Sequence, residues 1–402
     1  MQLIATGKQD AVLTDSTQRK HSYWVQTFVR RTDFAIDSIQ QMVSGPPASV
    51  TSATKLTCKI DPNGDLLTNM VVEIVLKKSG PDSFYPAEHL LKHVELHIGG
   101  QRIDHFTNTW LRVYDELYRS VDAREAYRVM TDFADDDSVG TVKRFYVHLP
   151  FWFSRDLGAA LPMIALTYHN VELKLTLEAL GNIPGIDSSF QPQISVWCDF
   201  VYLQNEERKW YAHSAHEYLI EQTQFASQSI DVTSDLKVTR IPLEFNHCVK
   251  MMAWVLRTTE TSHGRFTASG RGLESREVFG PVHEAALKIN GLDRFEPRRG
   301  SYFRTYHTHN AFGQIPSVGV YAYSFGLFPH RSNPSGTLNF SMFENVQLHL
   351  TTKEATLPSP LVSYDEHQTT ESSKTLKWVE VYARNYNTLH IASGMAGLMF
   401  SA

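Results

Sequence analysis

Three histidines, His89, His93 and His97, recur at every fourth position, a spacing that on a helix would turn three imidazoles toward one metal ion. Against that, His93, Glu95 and His97 alternate with Val94, Leu96 and Ile98, the pattern of a strand with one apolar face and one solvated His/Glu face. The run Asp135-Asp136-Asp137 has the charge to attract a divalent cation, but its place just past a helical stretch reads as a solvated loop. His283-Glu284 lacks the second histidine of a zincin, and there is no GxSxG, Walker loop or phosphate-cradling GxGxxG. The single N-x-S/T sequon, Asn339-Phe340-Ser341, falls in a strand region, where an ordinary glycan acceptor is not expected. The residues therefore predict no catalytic, cofactor or metal site, and no enzyme.

What the chain does carry is a repeat. Residues 145–177, moved forward by 175 positions, lie without a gap on 320–352. Tyr146 meets Tyr321, Phe153 meets Phe328, and Asn170-Val171-Glu172-Leu173-Lys174-Leu175-Thr176 meets Asn345-Val346-Gln347-Leu348-His349-Leu350-Thr351. Apolar residues at every second position give a strand with one buried face. A second pair is offset by 191: His93-Val94-Glu95-Leu96-His97-Ile98-Gly99-Gly100 against Glu284-Ala285-Ala286-Leu287-Lys288-Ile289-Asn290-Gly291. Gly-Gly and Asn-Gly tolerate the positive φ of a two-residue turn, so both copies predict the same hairpin. Trp197 with Asp199 against Trp378 with Glu380 closes each copy. The two offsets differ by sixteen residues, which the first copy carries between hairpin and strand. There Trp110, Val113, Tyr114, Leu117, Tyr118 and Val121 recur at helical spacing, with Arg112, Asp115, Glu116 and Arg119 on the other side. The second copy has only residues 300–319, rich in Tyr, His and Gly, at that point.

At 402 residues, 42% hydrophobic and 11% aromatic, the chain has the material for two packed cores without staples. Cys58, Cys198 and Cys248 are too few and too scattered for a disulfide framework and read as small core residues from a reducing compartment. The start shows no basic-then-apolar signal segment and no run long enough to span a bilayer, so a soluble chain outside the usual secretory route is expected. A net charge of −5 gives no global footprint for nucleic acid. The local excess at the start, Lys8, Arg19, Lys20, Arg30 and Arg31 against Asp10 and Asp15, reads as a solvated or docking arm in preference to a phosphate-binding one.

These signals order the chain as an arm (1–47), a first sandwich (48–204), a connector (205–216) and a second sandwich (217–402). Strands are predicted over 55–60, 67–76 and 194–203. Long polar loops are predicted over 258–281 and 351–375, and an apolar C-terminal strand should be tucked inside. The fold class is all-β, two tandem eight-stranded antiparallel sandwiches with a short helical insertion in the first.

Several long motifs take the reading further. Tyr85-Pro86-Ala87-Glu88-His89-Leu90-Leu91 with Val94-Glu95-Leu96-His97-Ile98-Gly99-Gly100-Gln101-Arg102-Ile103-Asp104 come first. Lys143-Arg144-Phe145-Tyr146-Val147, Leu161-Pro162-Met163-Ile164-Ala165-Leu166 and His216-Glu217-Tyr218-Leu219-Ile220-Glu221-Gln222 follow. Pro334-Ser335-Gly336 with Asn339-Phe340-Ser341, and Val381-Tyr382-Ala383-Arg384-Asn385-Tyr386-Asn387 with Ser393-Gly394-Met395-Ala396-Gly397-Leu398, complete the set. In this order, and with the Gly7-Lys8-Gln9-Asp10 start, the chain resembles the major capsid proteins of nucleocytoplasmic large DNA viruses, with the algal-virus branch, such as the chlorella viruses, as the nearer likeness.

The resemblance implies a double jelly roll, a homotrimer forming a pseudo-hexagonal capsomer, and a place in an icosahedral virion shell after synthesis in host cytoplasm. It also implies minor capsid proteins and an inner membrane near the arm, no direct nucleic-acid contact, and glycans on outer loops. The sequence departs from the pattern in its shorter, more charged 258–281 loop and in Arg384 and Thr388, which stand where more apolar residues are usual. A less abundant capsid paralogue is therefore an alternative. Two further alternatives are a virion-surface carbohydrate-binding module using loop Tyr and Trp, and a cupin-type enzyme using His89, His93 or His307 and His309 as ligands.

Overall fold

The computed structural model describes residue 24 and residues 31–80, 85–133, 139–230, 236–257, 282–316, 319–352 and 378–400. Of the predicted features, the Asp135 run, the 258–281 loop, nearly all of the 351–375 loop and most of the basic arm lie outside these residues. By compactness the chain divides into Met1–Phe34 and Ala35–Ala402. In the first unit the Arg31 guanidinium lies over the Phe34 ring at 4.5 Å. The second unit carries the sheets.

Its first half holds β1 (Phe34–Gln41), β2 (Val43–Ser44), β3 (Thr54–Ile60), β4 (Leu66–Lys77), β5 (Leu91–Ile98), β6 (Gln101–Thr107), β7 (Val142–His148), β8 (Leu161–Pro162), β9 (Val171–Leu177) and β10 (Gln193–Leu203). These build one sheet in the order β1-β10-β4-β7, with β8 on β4, and a second in the order β2-β3-β9-β5-β6. Alternation drives the packing: in β9, Val171, Leu173, Leu175 and Leu177 are buried while Glu172, Lys174 and Thr176 are half-buried. The inward residues of both sheets, Cys58, Val94, Leu96, Leu173 and Leu175 against Met70, Val72, Ile74, Phe145 and Cys198, share one core. Each such aliphatic side chain contributes about 1.5–3 kcal/mol on leaving water. Cys58 and Cys198 are fully buried, and burial pushes the Cys58 thiol up to about 12. β1 and β2 fall in 34–44, where only the arm was expected.

The second half repeats the plan with β11 (His216–Ser229), β12 (Lys237–Pro242), β13 (Cys248–Arg257), β14 (Val282–Ile289), β15 (Leu292–Arg299), β16 (Val320–Ser324), β17 (Leu338–Asn339), β18 (Val346–Thr352), β19 (Trp378–Ala392) and β20 (Met395–Leu398). Its sheets run β11-β19-β13-β16, with β17 on β13 and β20 on β19, and β12-β18-β14-β15. A helix, Asn205–His213, fills the predicted connector.

The hairpins are as the sequence predicts. Gly99 and Gly100 have φ of 58° and 83°, and Asn290 and Gly291 have 49° and 84°, so both turn positions are left-handed in both copies. A Cβ on Gly99 would stand 2.3 Å from His169 Nδ1.

Three expectations are corrected. First, the 175-residue offset keeps the buried face in β9 and β18 but not in β7 and β16. Tyr146 points out and is 39% exposed, whereas Tyr321 points into the second core and is 1% exposed. The true correspondence there is slipped by one residue, which inverts every side chain. Phe153 is buried while Phe328 is 44% exposed.

Second, the charged side of the inserted helix, Asn108–Tyr118, is not solvated: Arg112, Asp115 and Glu116 are all at most 4% exposed. Beside it lies a further helix, Val121–Thr131, and the charges are neutralised in place. Arg112 donates to Asp115 at 2.9 Å and to Glu116 at 2.7 Å, and Arg124 donates to Glu116 at 2.5 Å.

Third, the Tyr/His-rich stretch of the second copy is helical too, a π-turn over Tyr302–Tyr306 running into a helix over His307–Phe312. Both copies thus place helix after hairpin, and the first simply has more of it.

Candidate functional site

The metal-ligand candidates are not brought together. His89 is in the short helix Pro86–Leu90, whereas His93 and His97 are on β5. Its polar side is only partly the solvated face expected: the His97 ring nitrogen Nε2 pairs with Glu95 at 2.9 Å and the residue is 9% exposed. His93 stacks on His105, which itself packs against Phe225 of β11. His307 stacks on Tyr323 at 4.8 Å, and its Nε2 accepts the backbone N–H of Ser324, while His309 is exposed. No group of three metal-ligating side chains forms among the described residues. His283 and Glu284 lie 3.8 Å apart on the surface. Asn339 turns its side-chain oxygen back onto the Ser341 N–H at 3.1 Å, capping a 3-10 turn.

What the structure does assemble is a junction between the two sandwiches. In β13, Val249, Met252, Trp254 and Leu256 enter the second core, while the intervening Met251, Ala253 and Val255 join the first. β19 behaves alike: Val379, Val381 and Ala383 go one way and Tyr382, Leu389 and Ile391 the other. The sheet β11-β19-β13-β16 is therefore buried on both faces, which is why 248–257 and 378–392 lack the polar alternation of an exposed sheet.

Burying both faces brings charge inside. Asp104 on β6 is 3% exposed, and its Oδ1 accepts the backbone N–H of Thr223 on β11 at 2.9 Å. Its Oδ2 lies 3.4 Å from Arg384 Nη1. Arg384 also donates to Glu221 at 3.1 Å and to the Thr223 hydroxyl at 2.5 Å. Lys250 donates to Glu221 at 2.5 Å, and Arg155, from the first sandwich, pairs with the same carboxylate and with the His330 carbonyl. Burial alone would raise Glu221, yet Arg155, Lys250 and Arg384 hold it down at about 2. Asp104, with Arg384 as its one close cation, is pushed up by burial to about 6. Burial pushes Lys250 down to about 7 against the pull of Glu221. A second link runs through Tyr382, whose hydroxyl donates to Glu380 at 2.8 Å and accepts from Thr107 at 2.6 Å.

Such a network welds the two sandwiches in one relative position, because breaking one partner strands a buried charge. None of these roles was legible as a site in the sequence. Arg384 was visible only as an ill-fitting residue in an apolar motif.

This geometry, two like sandwiches fixed side by side, has known counterparts. The profile described as "Major capsid protein N-terminus" matches residues 22–204, and that described as "Large eukaryotic DNA virus major capsid protein" matches residues 207–397. The major capsid protein of Paramecium bursaria Chlorella virus 1 is 40% identical over 100% of this chain and 98% of its own length. That of Pyramimonas orientalis virus is 31% identical over 100% and 98%. The structure reported as the capsid of the chlorella virus PBCV-1 superposes with a TM-score of 0.84 at 39% identity, covering 95% of this chain and all of that one. The Faustovirus major capsid protein shares the fold at 11% identity, with a TM-score of 0.68. The fold is a double jelly roll, and the relatives are structural proteins of the virion shell, not enzymes. The chain belongs to the family of large eukaryotic DNA virus major capsid proteins.

Proposed function

We propose that three copies of this chain close into a pseudo-hexagonal capsomer that tiles the icosahedral shell of a large double-stranded DNA virus. The observation that carries the reading is the doubly buried sheet β11-β19-β13-β16, which makes one rigid body of two sandwiches of one design. Three such bodies offer six similar towers, so a threefold assembly fits a six-neighbour position. Closing the ring needs unlike patches in contact and an obligate interface above about 2,000 Å².

In this reading the sandwiches of β1 to β10 and of β11 to β20 are the two towers, 205–216 links them and the arm ahead of β1 points inward. Minor capsid proteins and an inner membrane then lie on that side, and glycans belong to the outer loops. The helix Asn108–Tyr118 is too buried to meet a neighbour. The helix Val121–Thr131, with Val121, Val129 and Met130 at 65%, 59% and 42% exposure, is the part of the insertion that reaches a second copy. Electron microscopy of the purified protein tests the reading: class averages with a hexagonal outline and threefold density support it, and isolated two-lobed particles refute it.

A further inference from the structure

The ion-pair network at the junction backs onto a cleft of about 480 Å³, walled by Tyr118, Ser154, Arg155, Asp156, Arg331 and Asn333 among others. Two features of its wall are unbalanced. The network sets three cations, Arg155, Lys250 and Arg384, against two carboxylates, Asp104 and Glu221. The cleft itself adds Arg331 and Asp156, which leaves the surplus unchanged: one positive charge while Lys250 holds its proton, with the Arg155 and Arg331 guanidiniums charged throughout. The Asp156 carboxylate is also turned back on its own turn, where it accepts the Gly158 N–H at 2.9 Å. In addition, the hydroxyls of Ser154 and Tyr118 are buried at the wall with no hydrogen-bond partner among the described residues.

Buried donors need acceptors, and a surplus charge in a low-dielectric wall needs an opposite one. A water or a neutral sugar would satisfy the hydroxyls and leave the charge; a metal cation would be repelled. Only an acceptor-rich anion answers both, and Arg155 and Arg331 are the residue type suited to planar, multi-point contact with such a group.

We propose that the cleft between the two sandwiches binds a small oxyanion of the sulfate or phosphate class, held by Arg155 and Arg331 with Ser154, Tyr118 and Asn333 as donors. This site does not depend on the trimer, since every named residue comes from one chain.

The test is a low-millimolar sodium sulfate titration of the full chain against sodium chloride at matched ionic strength, following the thermal midpoint. Arg155 is part of the junction, so the variants used are at the rim: Arg331→Gln and Asn333→Ala, with Lys59→Gln on the outer side of β3 as control. The expected result is a saturable, sulfate-specific rise whose half-saturation is about ten-fold weaker in Arg331→Gln, as the loss of one charge-assisted hydrogen bond requires. It should weaken less in Asn333→Ala and stay unchanged in Lys59→Gln. No saturable rise beyond chloride, a rise that Arg331→Gln leaves intact, or one that Lys59→Gln weakens equally, overturns the proposal.

Discussion

Asp104 and Arg384 are 280 positions apart in the chain and 3.4 Å apart in space, one on the second strand of the first sandwich's hairpin and the other on an inner strand, β19, of the second sandwich's buried sheet. Both are at most 3% exposed. Removing Arg384 strands Asp104 in a low-dielectric seam without its close cation, whereas Arg384 without Asp104 still keeps Glu221. Arg384→Met should therefore destabilise the chain by about 3–5 kcal/mol, read as a lowered urea midpoint. Asp104→Asn, which keeps a hydrogen-bonding group, should cost less, and the double variant should cost less than the sum of the two.

Lys250 gives the seam a pH dependence with a definite sign. Its folded value lies near 7 against an ordinary 10.5, so between those limits the unfolded chain holds the extra proton. Stability from this residue therefore rises as pH goes from about 7 toward 10.5 and is lost as pH falls back through 7. Glu221, Arg155 and Arg384 face the amine, as do the rings of Tyr118 and Tyr386. Urea midpoints taken across this window should rise more steeply in the native chain than in Lys250→Met; equal slopes would contradict the assignment.

Asp104 acts in the opposite sense at acid pH. Its folded value of about 6 exceeds the ordinary 3.8, so the folded chain holds the extra proton and stability from Asp104 falls as pH rises through that window. Asp104→Asn should remove this fall, as measured by midpoints between those two values.

The strand faces are tested by charge. Leu173→Asp and Leu348→Asp each place a carboxylate at a side chain that is fully buried, one per sandwich, and neither variant should be recovered in soluble form. Normal yield of both would show the faces to be wrong.

The first hairpin separates backbone strain from crowding. Gly100→Ala adds a methyl into open space at a φ of 83° and should cost about 1–2 kcal/mol for the left-handed backbone alone. Gly99→Ala carries the same backbone penalty and must also displace His169, 2.3 Å from the new Cβ, so its thermal midpoint should fall further.

How much of this was legible in the sequence follows from the physics of each part. Gly99-Gly100 and Asn290-Gly291 declared their turns because few other residues accept those angles. β9 and β18 declared their faces because each has one wet side. β7 and β16 misled because Tyr146 and Tyr321 match in identity but not in direction, and a one-residue slip is invisible until a second sheet shows which side is covered. β13 and β19 lost the period-2 signal since both of their faces are dry. The inserted helix read as amphipathic, yet amphipathicity says only that one side is apolar; the charged side can be buried if a partner such as Arg124, on the next helix, reaches Glu116. The network around Arg384 needed side chains from four strands, β6, β11, β13 and β19, and from the short helix Trp152–Arg155, and no spacing encodes that.

In the proposed capsomer a repeated sandwich, rigidly joined, lets three chains imitate six. Light scattering on the purified chain at micromolar concentration tests it most directly. The expected result is a stable species of three times the chain's 45.7 kDa; a monomer under those conditions would contradict the proposed trimer.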